Sequence, residues 1–147
     1  YMAVVESELD ILSDMMKSVA EKNSSPDDKL IEMIYTRLDA VKEVVYRNGT
    51  LRANFFRDIW RVEKVRKRFD AKEIMLYKEV LNEGVKKGVF LVDDIDMTAE
   101  IIHYCVKGIE VPYIRGHVGS NLDDGLRSKY VAKIVFGALH RKENINQ

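Results

Sequence analysis

From Val5 to Leu139 apolar residues recur at steps of three and four, and little interrupts them. Only two prolines and eight glycines punctuate the 147 residues. A side chain every three or four positions falls on one face of a helix. The spacing therefore predicts an all-α chain, a bundle of about six helices with no paired strand.

Val5, Leu9, Leu12, Met16 and Val19 mark the first helix, which runs out at Lys22-Asn23-Ser24. Tyr1-Met2-Ala3-Val4-Val5 is already helical in character, with no capping residue before it and no initiator methionine at position 1. The expectation is that a segment N-terminal to Tyr1 has been removed. Ser25-Pro26-Asp27-Asp28 opens the second helix. Ser25 supplies an acceptor for an unpaired backbone N–H, Pro26 sits where its missing N–H is not needed, and the aspartates face the positive end of the helix dipole. Ile31, Ile34, Leu38, Val41 and Val45 form its stripe, and Asn48-Gly49 closes it.

Leu51, Phe55, Ile59 and Val62, with Phe56 and Trp60 beside them, predict a third helix. Its tail is basic (Arg61, Lys64, Arg66, Lys67, Arg68), which suits a helix C-terminus and reads as a solvated face. Asp70-Ala71-Lys72-Glu73 reads as an acidic capping box. It opens a fourth helix through Ile74, Tyr77, Val80, Leu81 and Val85, with Gly84 inside it and Gly88 at its end. Val89-Phe90-Leu91-Val92 is too short for a strand without a partner and reads as a connecting loop. Asp96 is read as the cap of a fifth helix from about Met97, and Ser120 or Asn121 as that of a sixth running to about Arg141.

Charge and chemistry narrow the function. Twenty-four basic side chains are matched by twenty-four acidic ones, whereas a self-sufficient nucleic-acid binder draws its affinity from a basic excess. The single cysteine, Cys105, excludes an internal disulfide and fits a reducing compartment. No apolar run reaches the ~20 residues that cross a bilayer, so a cytoplasmic chain with no membrane partner is expected. Neither a glycine-rich phosphate loop nor a Gly-x-Ser-x-Gly elbow is present. Cys105 lies on an apolar stripe, and His103 points to another face of the same helix, so the two form no nucleophile–base pair. Glu100-x-x-His103 has the spacing used by carboxylate-bridged di-iron bundles, but such a site needs a second copy. His117 and His140 are preceded at that distance by Ile114 and Gly137. Glu100 and His103 are read as ordinary helix residues, with no catalytic residue, cofactor or metal expected.

The last two helices are apolar on two lines each. Ile102, Cys105, Val106, Ile109 and Tyr113 form one line, and Ile101, Tyr104, Gly108 and Val111 another. In the final helix Tyr130, Ile134 and Ala138 lie on one line and Val131, Val135 and Leu139 on the other. A helix on a monomer's surface needs a single apolar face. Either both helices are central to a compact monomer, or one line of each meets a partner. The candidate interface residues are Ile102, Ile109, Tyr113, Tyr130, Ile134, Val135 and Ala138, with no means of saying which line faces out.

The order of these segments resembles the C-terminal regulatory domain of the TetR family of transcriptional regulators. Tyr1-Met2-Ala3-Val4-Val5-Glu6 is similar to the start of the helix that follows that family's helix-turn-helix headpiece. Tyr77 to Phe90, a helix ending in glycine followed by Gly-x-Phe, and then Asp96-x-x-Ala99, resemble a second family pattern. The final helix pair resembles the family's four-helix dimer interface. The resemblance spans nearly the whole chain through loose motifs, and no headpiece is found within it.

It implies one domain over 1–147 that senses a small-molecule effector and forms a homodimer, with DNA bound only through a separate N-terminal headpiece. It also implies a cavity among the middle helices, for which Phe55, Phe56, Trp60, Tyr77, His103 and Tyr104 are the candidate lining and Tyr35 and Tyr46 weaker ones. The alternative is a helical metal-binding protein or enzyme whose site the sequence does not reveal.

Overall fold

A computed structural model describes residues 2–47, 59–114, 116 and 124–140. The helices among them are α1 (Met2–Ala20), α2 (Pro26–Arg47), α3 (Ile59–Lys86), α4 (Ile95–Ile114) and α5 (Asp124–Leu139). The all-α expectation holds among the described residues. Five helices are described. The later part of the predicted third helix, from Ile59, runs on into the predicted fourth as α3. Its beginning at Leu51, with Phe55 and Phe56, lies outside the described residues, so the count of six is not decided. Residues 48–58 lie outside the described set.

The fusion has a local cause. Between Arg66 and Glu73 there is no glycine or proline to stop a helix, so Asp70 stands mid-helix rather than at a cap. Its carboxylate binds the Lys107 ammonium of α4 at 2.7 Å instead of a backbone N–H. At 28 residues, α3 is about 42 Å long, and it packs against α1, α2 and α4.

The helices bury much of the stripes their spacing marks. On α2, however, the buried face centres on Leu30, Met33, Ile34 and Leu38 with Ile31 and Val41 only partly covered, and Val85 of α3 is exposed. Leu12, Met16 and Val19 of α1 meet Leu30, Met33, Ile34 and Leu38 of α2, and Phe69, Leu76, Tyr77, Val80 and Leu81 of α3. Ala99, Val106 and Tyr113 of α4 close the core. At the start of α2 the Asp28 N–H donates to Ser25 Oγ at 3.2 Å, as the cap residues predict. The cap of α4 is two residues earlier than expected, at Asp94 instead of Asp96: Met97 N–H donates to Asp94 Oδ1 at 2.9 Å, and Asp96 lies inside the helix.

The turn after α3 fixes the far end of the chain. Gly88 adopts φ +72°, and the N–H groups of Gly88 and Val89 donate to the carbonyls of Val85 and Gly84. That pair of bonds is the Schellman arrangement, which favours glycine at the left-handed position. It directs the Phe90 ring onto Gly84, where even a Cβ would lie 2.0 Å from Phe90 Cδ2. Residues 89–92 form no ladder; Phe90 makes an isolated antiparallel bridge with His140. Leu91 N–H donates to Leu139 O at 2.8 Å, and His140 Nε2 lies 2.8 Å from Asp27 Oδ1. These contacts and the packing of α5 on α2 hold the last helix in place. No helix of the described residues is long and apolar enough to cross a membrane.

A buried ionic seam as candidate functional site

Charged side chains occupy positions that helical spacing assigns to the core. On α2, Arg37 continues the run Leu30, Met33, Ile34 and shares its buried face with Leu38. On α3, Arg66, Phe69, Glu73, Leu76 and Val80 form one such run, and on α4 so do Ala99, His103, Val106, Glu110 and Tyr113. Arg37, Arg66, Glu73, His103 and Glu110 are all buried where these three helices meet.

They satisfy one another in a connected network. The Glu110 carboxylate accepts from Arg37 Nη1 at 2.5 Å and from Arg66 Nη1 and Nη2, each at 2.8 Å. The Arg66 pair is bidentate, a strong geometry because two charge-assisted bonds form in parallel. Arg37 Nε sits between the Glu73 oxygens, 2.9 Å from Oε1 and 3.0 Å from Oε2. The Tyr77 hydroxyl donates to Glu73 Oε1 at 2.8 Å. Arg37 also lies over the Phe69 ring, with Cζ 5.9 Å from its centroid.

Burial alone would push both glutamates towards protonation, and their partners reverse that. Glu110 is held below the ordinary carboxylate range because Arg66 and Arg37 outweigh its desolvation. Glu73 is likewise lowered, the neighbouring His103 and Arg37 outweighing burial. Burial and the Glu73 charge raise the Tyr77 hydroxyl well above its usual value. Desolvation opposes the charge on Arg37, but Glu110 and Glu73 more than compensate, so it titrates above its ordinary range.

Mutual satisfaction is incomplete at Arg37 Nη2, which is buried without a hydrogen bond, and fails at both nitrogens of His103. Nδ1 stands 3.1 Å from Glu73 Oε2, close enough for a hydrogen bond but without the alignment of one. Nε2 is 3.8 Å from Asp70 Oδ1, and both of these atoms are buried with no hydrogen-bond partner. An unmade hydrogen bond on a buried polar group costs about 1–3 kcal/mol, so an imidazole left this way marks a place the fold does not complete by itself.

Of the expected pocket residues, Tyr77 and His103 come together around Glu73, while Tyr104 is turned outward and 63% exposed. Phe55 and Phe56 lie outside the described residues; Trp60 is in the first turn of α3, its side chain likewise outside them. Glu100 is exposed and apart from this seam. The basic run on α3 is only partly solvated: Lys67 and Arg68 are exposed, whereas Arg66 is buried against Glu110.

On α4 the line of Ile102, Ile109 and Tyr113 turns to the core, Tyr113 being buried with its hydroxyl donating to Asp39. Ile101, Tyr104 and Gly108 face outward, and with them Cys105, which is exposed rather than part of the inward stripe. On α5, Tyr130, Ile134 and Ala138 are exposed, while Val135 is partly buried against the core. The two lines that the sequence left equivalent are thus distinguished.

Arg37, Arg66, Glu73 and Glu110 are the functional candidates that sequence reasoning missed. The signal was partial: Arg37, Glu73 and Glu110 each interrupt a core-phased apolar stripe, whereas Arg66 reads as one of a basic run. No protein-family model, curated protein or solved structure matches this chain.

Proposed function

We propose that this chain is the regulatory domain of a TetR-like transcriptional regulator, a homodimer formed through α4 and α5 that responds to a small-molecule effector. DNA binding belongs, on this reading, to a separate headpiece. One observation carries the proposal: the last two helices each present an outward apolar line, Ile101 and Tyr104 on α4, Tyr130 and Ile134 on α5, all more than half exposed. A two-fold interface must be self-complementary, and a pair of such lines supplies the apolar centre for a patch of ~800 Å² per partner. The inner face of α4 carries His103 and Glu110 in the ionic seam. An effector that changes how α2 and α3 hold those groups would act on the helix that forms the interface. Unequal affinity for two arrangements of α4 would then shift the spacing of two headpieces.

Sedimentation velocity at micromolar concentration tests the reading. The unmodified chain should sediment as a dimer and Ile134→Asp as a folded monomer, because Ile134 is 74% exposed within one subunit and its burial would come from the partner. Ile11→Asp, on the exposed face of α1, should leave the dimer intact. A monomeric unmodified chain, or a dimer indifferent to Ile134→Asp, would remove the basis for the proposal.

A further inference from the structure

We infer that Asp70, Glu73 and His103 bind a first-row divalent metal ion at the seam between α3 and α4. Asp70 and Glu73 stand three residues apart on α3, so both carboxylates project from one side of the helix. One nitrogen of His103 and one oxygen from each carboxylate lie within 4.8 Å of one another.

The imidazole carries the argument. It is wholly buried, and neither nitrogen has a hydrogen bond. Glu73 Oε2 faces Nδ1 at 3.1 Å and Asp70 Oδ1 faces Nε2 at 3.8 Å, and that Asp70 oxygen is itself buried and unbonded. A neutral imidazole has one N–H and one lone pair. As a neutral ring, in either tautomer, His103 therefore turns a lone pair towards carboxylate oxygen, which repels it; only a doubly protonated ring would face both carboxylates with N–H groups. A metal ion drawn in among these atoms makes ligands of groups that otherwise oppose one another.

Charge balance says how the ion is accommodated. Around the triad, Arg37, Arg66 and Lys107 offset Asp70, Glu73 and Glu110. An entering dication displaces a cation, and Lys107 has the route: its ammonium sits on Asp70 while its side chain is 18% exposed to water. Arg37 is fully enclosed and stays on Glu73. A nitrogen with two carboxylate oxygens suits zinc, manganese, iron or cobalt, whereas copper(I) selects sulfur and calcium prefers oxygen alone. Tetrahedral zinc bond lengths put ligand atoms ~3.4 Å apart, so the three side chains draw together on binding.

This site does not depend on the regulatory reading, since a monomer would hold the ion as well as a dimer. The test is equilibrium dialysis of the full chain against Zn²⁺, and separately Co²⁺, followed by desalting and metal analysis. The unmodified chain should retain one equivalent of either metal, with visible Co²⁺ absorption. Asp70→Asn and His103→Gln should each bind at least tenfold more weakly while keeping their helical circular dichroism. Retention of no metal, or equal retention by both variants, overturns the inference. A measurement on the unmodified chain guards against variants that do not fold. Added Co²⁺ should shift or broaden the ring resonances of His103 ahead of those of His117 and His140. Effects confined to the other two rings, or a His103 ring that is doubly protonated and indifferent to Co²⁺, overturn it equally.

Discussion

Replacing Glu110 by glutamine removes one charge and almost no volume, and it should be among the most damaging conservative changes in this chain. The carboxylate takes three short bonds from Arg37 and Arg66, and all three side chains are at most 2% exposed. An amide keeps one acceptor oxygen and turns two N–H donors towards guanidinium groups that are themselves donors only. Two buried cations then share what remains of their compensation. Breaking a buried ion pair from one side costs about 3–5 kcal/mol, a large part of the 5–15 kcal/mol that holds a typical domain together. For a chain of this size, with about 2–4 °C lost per kcal/mol, the melting temperature should fall by roughly 6–20 °C. Urea denaturation followed by circular dichroism at pH 7 reads the same loss as a lower midpoint with unchanged slope. Changing Arg66 and Glu110 together to methionine should be milder than Glu110→Gln, because Arg37 keeps Glu73 and no buried charge is orphaned. A Glu110→Gln cost under ~1 kcal/mol, the size of an exposed pair, would refute the view that this seam is dry and mutually dependent.

The same groups set the pH response. Glu73 and Glu110 have folded-state values below the ordinary carboxylate range, so their contribution is present above about pH 4.3, the unfolded value, and is lost as the pH falls through the lowered ones. Urea midpoints should be steady from neutral pH down to about 5 and drop below it; a chain equally stable well below pH 4 would contradict this. Gly84→Ala should force the Phe90 ring off α3, at the upper end of the ~1–3 kcal/mol of overpacking, and should expose the Leu91 amide, now bonded to Leu139 O, to hydrogen exchange. Unchanged stability and protection would show that the ring does not need the bare glycine.

Helix spacing reports burial, and so the all-α class, the α2 cap at Ser25 and the end of α3 at Gly88 were legible from residue type and order. The same reasoning divided α3 at Asp70 because a capping box and a mid-helix ion pair share one sequence. The lack of a glycine or proline between Arg66 and Glu73 permits the continuous helix, and the approach of Lys107 from α4 gives Asp70 its mid-helix partner. Arg66 illustrates the same limit: a basic residue in a basic run looks solvated until Glu110, 44 positions away, is seen to meet it. The doubly apolar helices α4 and α5 posed a question that spacing leaves symmetric. Packing resolves it, because α4 sets Ile102 and Tyr113 on the core and leaves Ile101 and Tyr104 outside.

Cys105 offers a direct probe of the proposed two-fold interface. It is the sole cysteine, it is exposed within one subunit, and it lies on the outward line of α4 beside Ile101, Tyr104 and Gly108. Association through that line would cover the thiol and slow its alkylation. The rate with a small maleimide, measured on the unmodified chain across nanomolar to high-micromolar concentrations, should fall as dimer forms. Ile134→Asp should return it to the dilute value at every concentration. A rate independent of protein concentration in a chain that sediments as a dimer would place the contact elsewhere, and in a monomer would contradict the interface altogether.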